Sequence, residues 1–176
     1  MYRNTFLSVM FLACCFNGSL CAQSDAQIYE RTCDAKTYPF SDPSPVATPN
    51  NSYYPYFRFD GFSMQAQEKQ WKMVVLENDY VKLTVTPEIG GKIWGAIDKV
   101  NNKEFVYTNG VVKFRDVAMR GPWTSGGIEF NFGIIGHAPT CSTPIDYLTK
   151  KNVDGSVSCH IFSYEWITRT VWNVEI

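Results

Sequence analysis

YVKLTVTPEIGGKIWGAIDKVNNKEFVYTN, residues 80 to 109, decides the fold. Val81, Leu83 and Val85 alternate with Lys82, Thr84 and Thr86, the period-two pattern of a strand with one face toward a core. Pro87 and the pair Gly90-Gly91 stop that strand. KIWGAID then runs into Lys99-Val100-Asn101-Asn102-Lys103 and EFVYT follows, which together spell a β-hairpin.

Working toward the C-terminus, a turn at Asn109-Gly110 precedes VVKF, and a glycine-rich loop leads to IEFNF. An irregular stretch from Gly133 to about Gly155 comes next, then SVSCHIFSYEW and ITRTVWNVEI. No window shows a helical period. Strands at roughly 8 to 12 residue spacing with turn signals between them predict an all-β fold, an antiparallel β-sandwich or barrel. VWNVEI reads as strand to its last residue, so the sheet is expected to continue past Ile176, with the C-terminal part of the domain elsewhere in a longer protein.

Toward the N-terminus the texture changes. Residues 23–70 carry prolines at 39, 43, 45, 49 and 55 and the rings of Tyr53, Tyr54, Tyr56, Phe57 and Phe59. That proline density predicts an extended arm without long helices or central strands, with the sandwich proper over 71–176. Met1 to Ala22 has Arg3, an apolar run from Phe6 to Phe16 and a small, polar approach to Leu20-Cys21-Ala22, which reads as a secretory signal peptide. The run is shorter than the roughly 20 residues that cross a bilayer, so no membrane span is expected. A lipoprotein anchor is the second reading, because Cys14, Cys15 and Cys21 lie nearby, although none follows a good leucine/small/small sequence. Either way the domain is secreted or periplasmic.

Composition narrows the function classes. The chain has 176 residues, 16 basic and 17 acidic, a formal charge of -1, and 15% aromatic residues. Near-neutral charge argues against nucleic acid, whose binders concentrate a basic surplus on one face. The aromatic content is too high for disorder and suits a β-rich core or ring-stacking surfaces. Past the leader, Cys33, Cys141 and Cys159 remain, so at most one internal disulfide can form. Cys141 with Cys159 is the expected pair, and buried free thiols fit equally well. Without a CxxC spacing the cysteines argue against zinc, and no other metal set or cofactor is expected.

Chemistry-bearing residue types concentrate between Arg115 and Tyr147. In IEFNF, Glu129 and Asn131 leave one face of a strand while Ile128, Phe130 and Phe132 leave the other. Such a carboxylate and amide face would suit a sheet lining a sugar cleft, and it equally describes an ordinary half-solvated strand. His137, after Gly136, can move protons near neutral pH or simply cap a turn. Trp123, after Gly121-Pro122, can stack on a sugar ring or join a core. Arg120 can hold a hydroxyl pair or a carboxylate bidentately. Cys141, Ser125 and Ser142 have no nucleophile-elbow context.

PEIGGKIWGAIDKVNNKEFVYTN, residues 87 to 109, resembles the opening of the galactose mutarotase (aldose 1-epimerase) superfamily. RGPWTSGGIEFNFGIIGHAP, residues 120 to 139, resembles a bacterial family of secreted proteins of unknown function with that fold, often followed by tetratricopeptide repeats. The resemblance implies a mutarotase-like super-sandwich, of which this chain is the N-terminal part, and a carbohydrate ligand. It implies His137 as a sugar-contacting histidine and places Lys92 where epimerases commonly have an arginine. The glutamate base of true epimerases comes from the C-terminal part of the sandwich, so Glu129 is not equated with it.

Two functions follow as expectations. One is a carbohydrate-active domain using Glu129 and His137 for proton transfer, with Arg120, Trp123, Asn131 and Lys92 positioning substrate. Glycoside hydrolysis needs a second carboxylate about 5 to 10 Å away, and Asp146 is the candidate nearby in sequence. The other is a non-catalytic glycan-binding or scaffold module of a larger repeat protein.

Overall fold

The computed structural model describes residues 25–40, 62–116, 122–133, 136–165 and 168–176. The leader, the proline- and tyrosine-rich segment 41–61 and Arg120 lie outside the described residues. What is described is all-β, with two short 3-10 turns at Pro87–Ile89 and Pro139–Ser142.

The strands are β1 (Gln27–Tyr38), β2 (Gln67–Glu77), β3 (Val81–Thr86), β4 (Lys92–Asp98), β5 (Lys103–Val106), β6 (Val111–Lys113), β7 (Arg115–Asp116), β8 (Pro122–Trp123), β9 (Asp146–Lys151), β10 (Val157–Glu165) and β11 (Thr170–Glu175). A six-stranded sheet runs in the order β5-β4-β3-β2-β1-β6, and a three-stranded sheet in the order β11-β10-β9. Every pair in the large sheet is antiparallel except β1 with β6, so the sheet is mixed.

β2 explains why two layers form. In Trp71-Lys72-Met73-Val74-Val75-Leu76 apolar residues point to both faces, as a strand covered on both sides requires. Val74 and Leu76 join Val85, Ile93, Ile145, Cys159, Ile161 and Trp172 in a core between the two sheets. Phe132 closes that core by stacking on Trp172 at 4.2 Å and 9°. On the opposite face Trp71 and Met73 pack with Ile89, Trp94, Val112 and Phe114. Trp71 donates its indole N–H to Thr37 Oγ1 at 2.9 Å, which satisfies the polar handle of a 3% exposed ring.

Several expectations change. The arm expected over 23–70 is not an arm at its start: residues 27–38 form β1, paired with β2 along eleven register positions from Gln27↔Glu77 to Thr37↔Gln67. All the prolines of that region fall after Tyr38, so their density says nothing about β1. The stretch expected to be irregular after Gly133 contains β9, a Lys-bearing edge strand whose largely exposed pattern hides its pairing. IEFNF is not a full strand. It is held by a single bridge, Ile93↔Ile128. Cys33, Cys141 and Cys159 are free thiols, the last two buried, so the expected Cys141–Cys159 disulfide is absent.

Candidate functional site

Lys92 opens β4 directly after the Gly90-Gly91 turn and is 3% exposed. Its ammonium donates to the Thr124 carbonyl at 2.5 Å and to Thr124 Oγ1 at 3.0 Å. The 124–128 loop is laid against β4 by reciprocal backbone bonds, Ile93 N to Ile128 O at 3.1 Å and Ile128 N to Ile93 O at 2.9 Å. Gly127 makes this approach possible. At φ 68 it occupies the left-handed region, and a Cβ there would collide with the Ile93 carbonyl oxygen.

The bridge determines what faces what. In an antiparallel pair the residues flanking a bridge lie opposite each other, which sets Lys92 across from Glu129. Glu129 Oε1 accepts from Asn131 Nδ2 at 2.9 Å and lies 2.6 Å from His137 Nδ1. Asn131 Oδ1 in turn accepts the Ala138 backbone N–H at 3.1 Å and the Cys141 thiol at 3.2 Å. Its amide orientation is therefore fixed, with donors toward the carboxylate and oxygen toward the N–H. The Trp123 ring lies 5.7 Å from the His137 ring at 33°. His137 holds φ 56, an uncommon conformation for a residue with a Cβ and one that concentrates at functional sites.

The contact through Nδ1 orients the ring so that Nε2 is the nitrogen turned away from the carboxylate. The His137 side chain is 31% exposed and that of Glu129 13%, so solvent reaches the imidazole more than the carboxylate. Burial pushes the Lys92 pKa down, while the negative charge of Glu129 pulls it back up. Burial and then Glu129 push the Cys141 thiol well above its ordinary range. Cys141 is thus a protonated hydrogen-bond donor with no nucleophilic character.

Beside this cluster, on the Trp71 side of the large sheet, lies a cleft of about 370 Å³. Met73, Trp94 and Val112 supply its apolar wall, and Arg31, Lys82, Thr84, Glu104, Thr108 and Asn109 its polar groups. The two features adjoin at Trp94, whose ring is 5.9 Å from Lys92 Nζ, and at Asn109, whose amide donates to Ser125 Oγ.

Of the residues expected from sequence, Glu129, Asn131, His137 and Trp123 come together, and Lys92 faces Glu129. Asp146 stands apart: it is exposed at the head of β9, and among the described residues no hydrogen bond or ion pair joins it to Glu129 or His137. Thr124, Cys141 and the cleft residues were not singled out as site residues. The signal for the first was the run Trp123-Thr124-Ser125-Gly126-Gly127, where two consecutive glycines of positive φ bring the backbone against β4.

Among solved structures, the chain is similar to one described as a TPR-domain containing protein from Parabacteroides distasonis, at 27% identity and a TM-score of 0.71. The likeness covers 81% of this chain and 25% of that one, so the chain spans about a quarter of that protein's length. A family described as "Domain of unknown function (DUF5107)" matches residues 48–176, which take in both sheets from β2 onward and the whole Lys92–Glu129–His137 cluster. The chain belongs to that DUF5107 family.

Proposed function

We propose that this domain binds a carbohydrate at the Glu129–His137 pair and acts on it by acid/base chemistry. The observation that carries this is the 2.6 Å Glu129–His137 contact with the Trp123 ring alongside it. A carboxylate-oriented imidazole can exchange a proton with a hemiacetal or glycosidic oxygen, and an indole face beside it suits the C–H face of a sugar ring. The adjoining cleft, with an apolar wall, hydroxyl and amide groups, and both charge signs, suits a neutral polyhydroxylated ligand. The resemblance of residues 87–109 to the galactose mutarotase superfamily supports the same substrate class and a super-sandwich architecture for the complete domain. In this scheme Asn131 holds Glu129, and Lys92, Arg120 and Asp146 are contacts to substrate. Residues 1–22 act as a cleaved leader, giving a secreted or periplasmic protein, which N-terminal sequencing of the mature form tests.

The test is a screen of the full-length protein against reducing sugars by polarimetric mutarotation and against polysaccharides by product release. Glu129→Gln and His137→Ala are each expected to lower turnover about 10²- to 10⁴-fold with the fold intact. Likeness to part of a TPR-domain containing protein favours a second reading, a glycan-binding module within a repeat protein. Sugar binding by the wild type without any turnover selects that reading. Absence of both binding and turnover overturns both.

A further inference from the structure

We infer that the cleft on the Trp71 side of the large sheet is a second sugar subsite, so that the ligand is an oligosaccharide held across the Glu129–His137 pair and the cleft. This rests on the carbohydrate reading of the pair and adds to it a chain length and the residues that read it.

The cleft follows from the topology. β5 and β6 are the two outer strands of the six-stranded sheet, yet only residues 107–110 join them. That connection reaches at most about 18 Å. The outer strands of a flat six-stranded sheet stand about 24 Å apart. The sheet therefore curls, and the connection closes over the curl where Thr108 lies against Gly95 of β4. What the curl encloses is the cleft of about 370 Å³, at the small end of ligand pockets.

Its polar groups fall into two sets. Lys82 and Asn109 are engaged by the protein itself, the first with Glu77 at 3.4 Å and the second with Ser125. Arg31, Thr84, Glu104, Thr108 and the indole N–H of Trp94 are not: among the described residues none of them makes a side-chain hydrogen bond or ion pair. Trp94 is 5% exposed, so leaving its donor without an acceptor is costly, and an occupant of the cleft supplies one. The free set comprises donors on Arg31 and Trp94, an acceptor on Glu104 and two hydroxyls that do either, beside the apolar wall of Met73 and Val112. A sugar ring alternates C–H faces with hydroxyls and matches that mixture. The opposite charges of Arg31 and Glu104 favour a neutral ring over an anion. Asn109 and Trp94 join the cleft to the loop after Trp123 and to Lys92, so neighbouring residues of one sugar chain can occupy the cleft and the pair together.

The test is binding of the full-length protein to defined glycans in which each monosaccharide stands beside its di- and trisaccharides. The wild type is expected to hold at least one such oligosaccharide about tenfold more tightly than its monosaccharide. Arg31→Ala and Glu104→Ala remove exposed side chains and leave the packing intact, and Trp94→Phe keeps a ring while deleting the N–H. Each is expected to reduce that preference, whereas His137→Ala should weaken short and long sugars alike. Equal affinity for a monosaccharide and its oligomers, or a preference unchanged in all three cleft variants, overturns the subsite and leaves the sugar reading of the pair. Binding lost in the cleft variants and unchanged in His137→Ala overturns the spanning arrangement, with the cleft alone as the sugar site. Retention of no glycan removes the carbohydrate reading itself, and the subsite with it.

Discussion

Gly127 shows how one residue can decide whether this site exists. Its positive φ and its contact with the Ile93 carbonyl allow the bridge that places Glu129 across from Lys92. Gly127→Ala is expected to cost about 2 kcal/mol or more, from the left-handed backbone and the displaced carbonyl together. Denaturant unfolding checks this, and a cost below about 0.5 kcal/mol would mean that the loop approaches β4 less closely. At this scale the sequence was informative where side chains alternate. Glu129 and Asn131, two apart, do meet, with the amide on the carboxylate. It was uninformative where contact depends on tertiary pairing: nothing local to Lys92 points to Thr124, thirty-two residues away. Asp146 follows the site closely in the chain and is the first residue of the edge strand β9.

Glu77, at the end of β2, ties strands together in the same way. It accepts from Lys99 just past β4 at 2.8 Å and from the Tyr29 hydroxyl of β1 at 3.0 Å, and pairs with Lys82 of β3 at 3.4 Å. Lys99 first, then Tyr29 and Lys82, hold its carboxyl at about 2, against an ordinary value near 4.5. A depressed carboxylate stabilises the fold above its unfolded pKa, and that stabilisation is lost as pH falls from about 4.5 toward 2. Glu77→Gln is therefore expected to destabilise by roughly 1 kcal/mol at pH 7 after allowance for solvent screening. The difference should shrink steadily below pH 4.5, as chemical denaturation at a series of pH values would show. A pH-independent difference would mean the ion pairs are not the cause. Among the elements, β3, β4 and β5 were legible because alternation and turn residues agree. β1 and β9 were not, because both expose most of their side chains: β1 buries Thr37 alone, and β9 none. Their pairing comes from backbone hydrogen bonds and neighbours, which composition does not record.

For the whole molecule, two apolar layers on the two faces of one sheet carry the stability, and no disulfide assists them among the described residues. Burial pushes Cys159 up to about 11 and Cys141 higher still, so both should be inert in the native state. In protein lacking residues 1–22, thiol titration is expected to find Cys33 alone reactive when folded and three thiols when unfolded. Fewer than three after unfolding without reductant would reveal a disulfide. The two-sheet architecture could be anticipated from the two-faced apolar run of β2 and the strand spacing. The site's assembly could not, because it depends on the way the 124–128 loop lies against β4.

Whether the Glu129–His137 pair is a sugar site is tested most directly by binding of the full-length protein to an array of defined glycans, repeated with His137→Ala. The expected result is retention of at least one glycan by the wild type and a loss of at least about tenfold in affinity in the folded variant. Retention of no glycan, or equal affinity in both proteins, would contradict it.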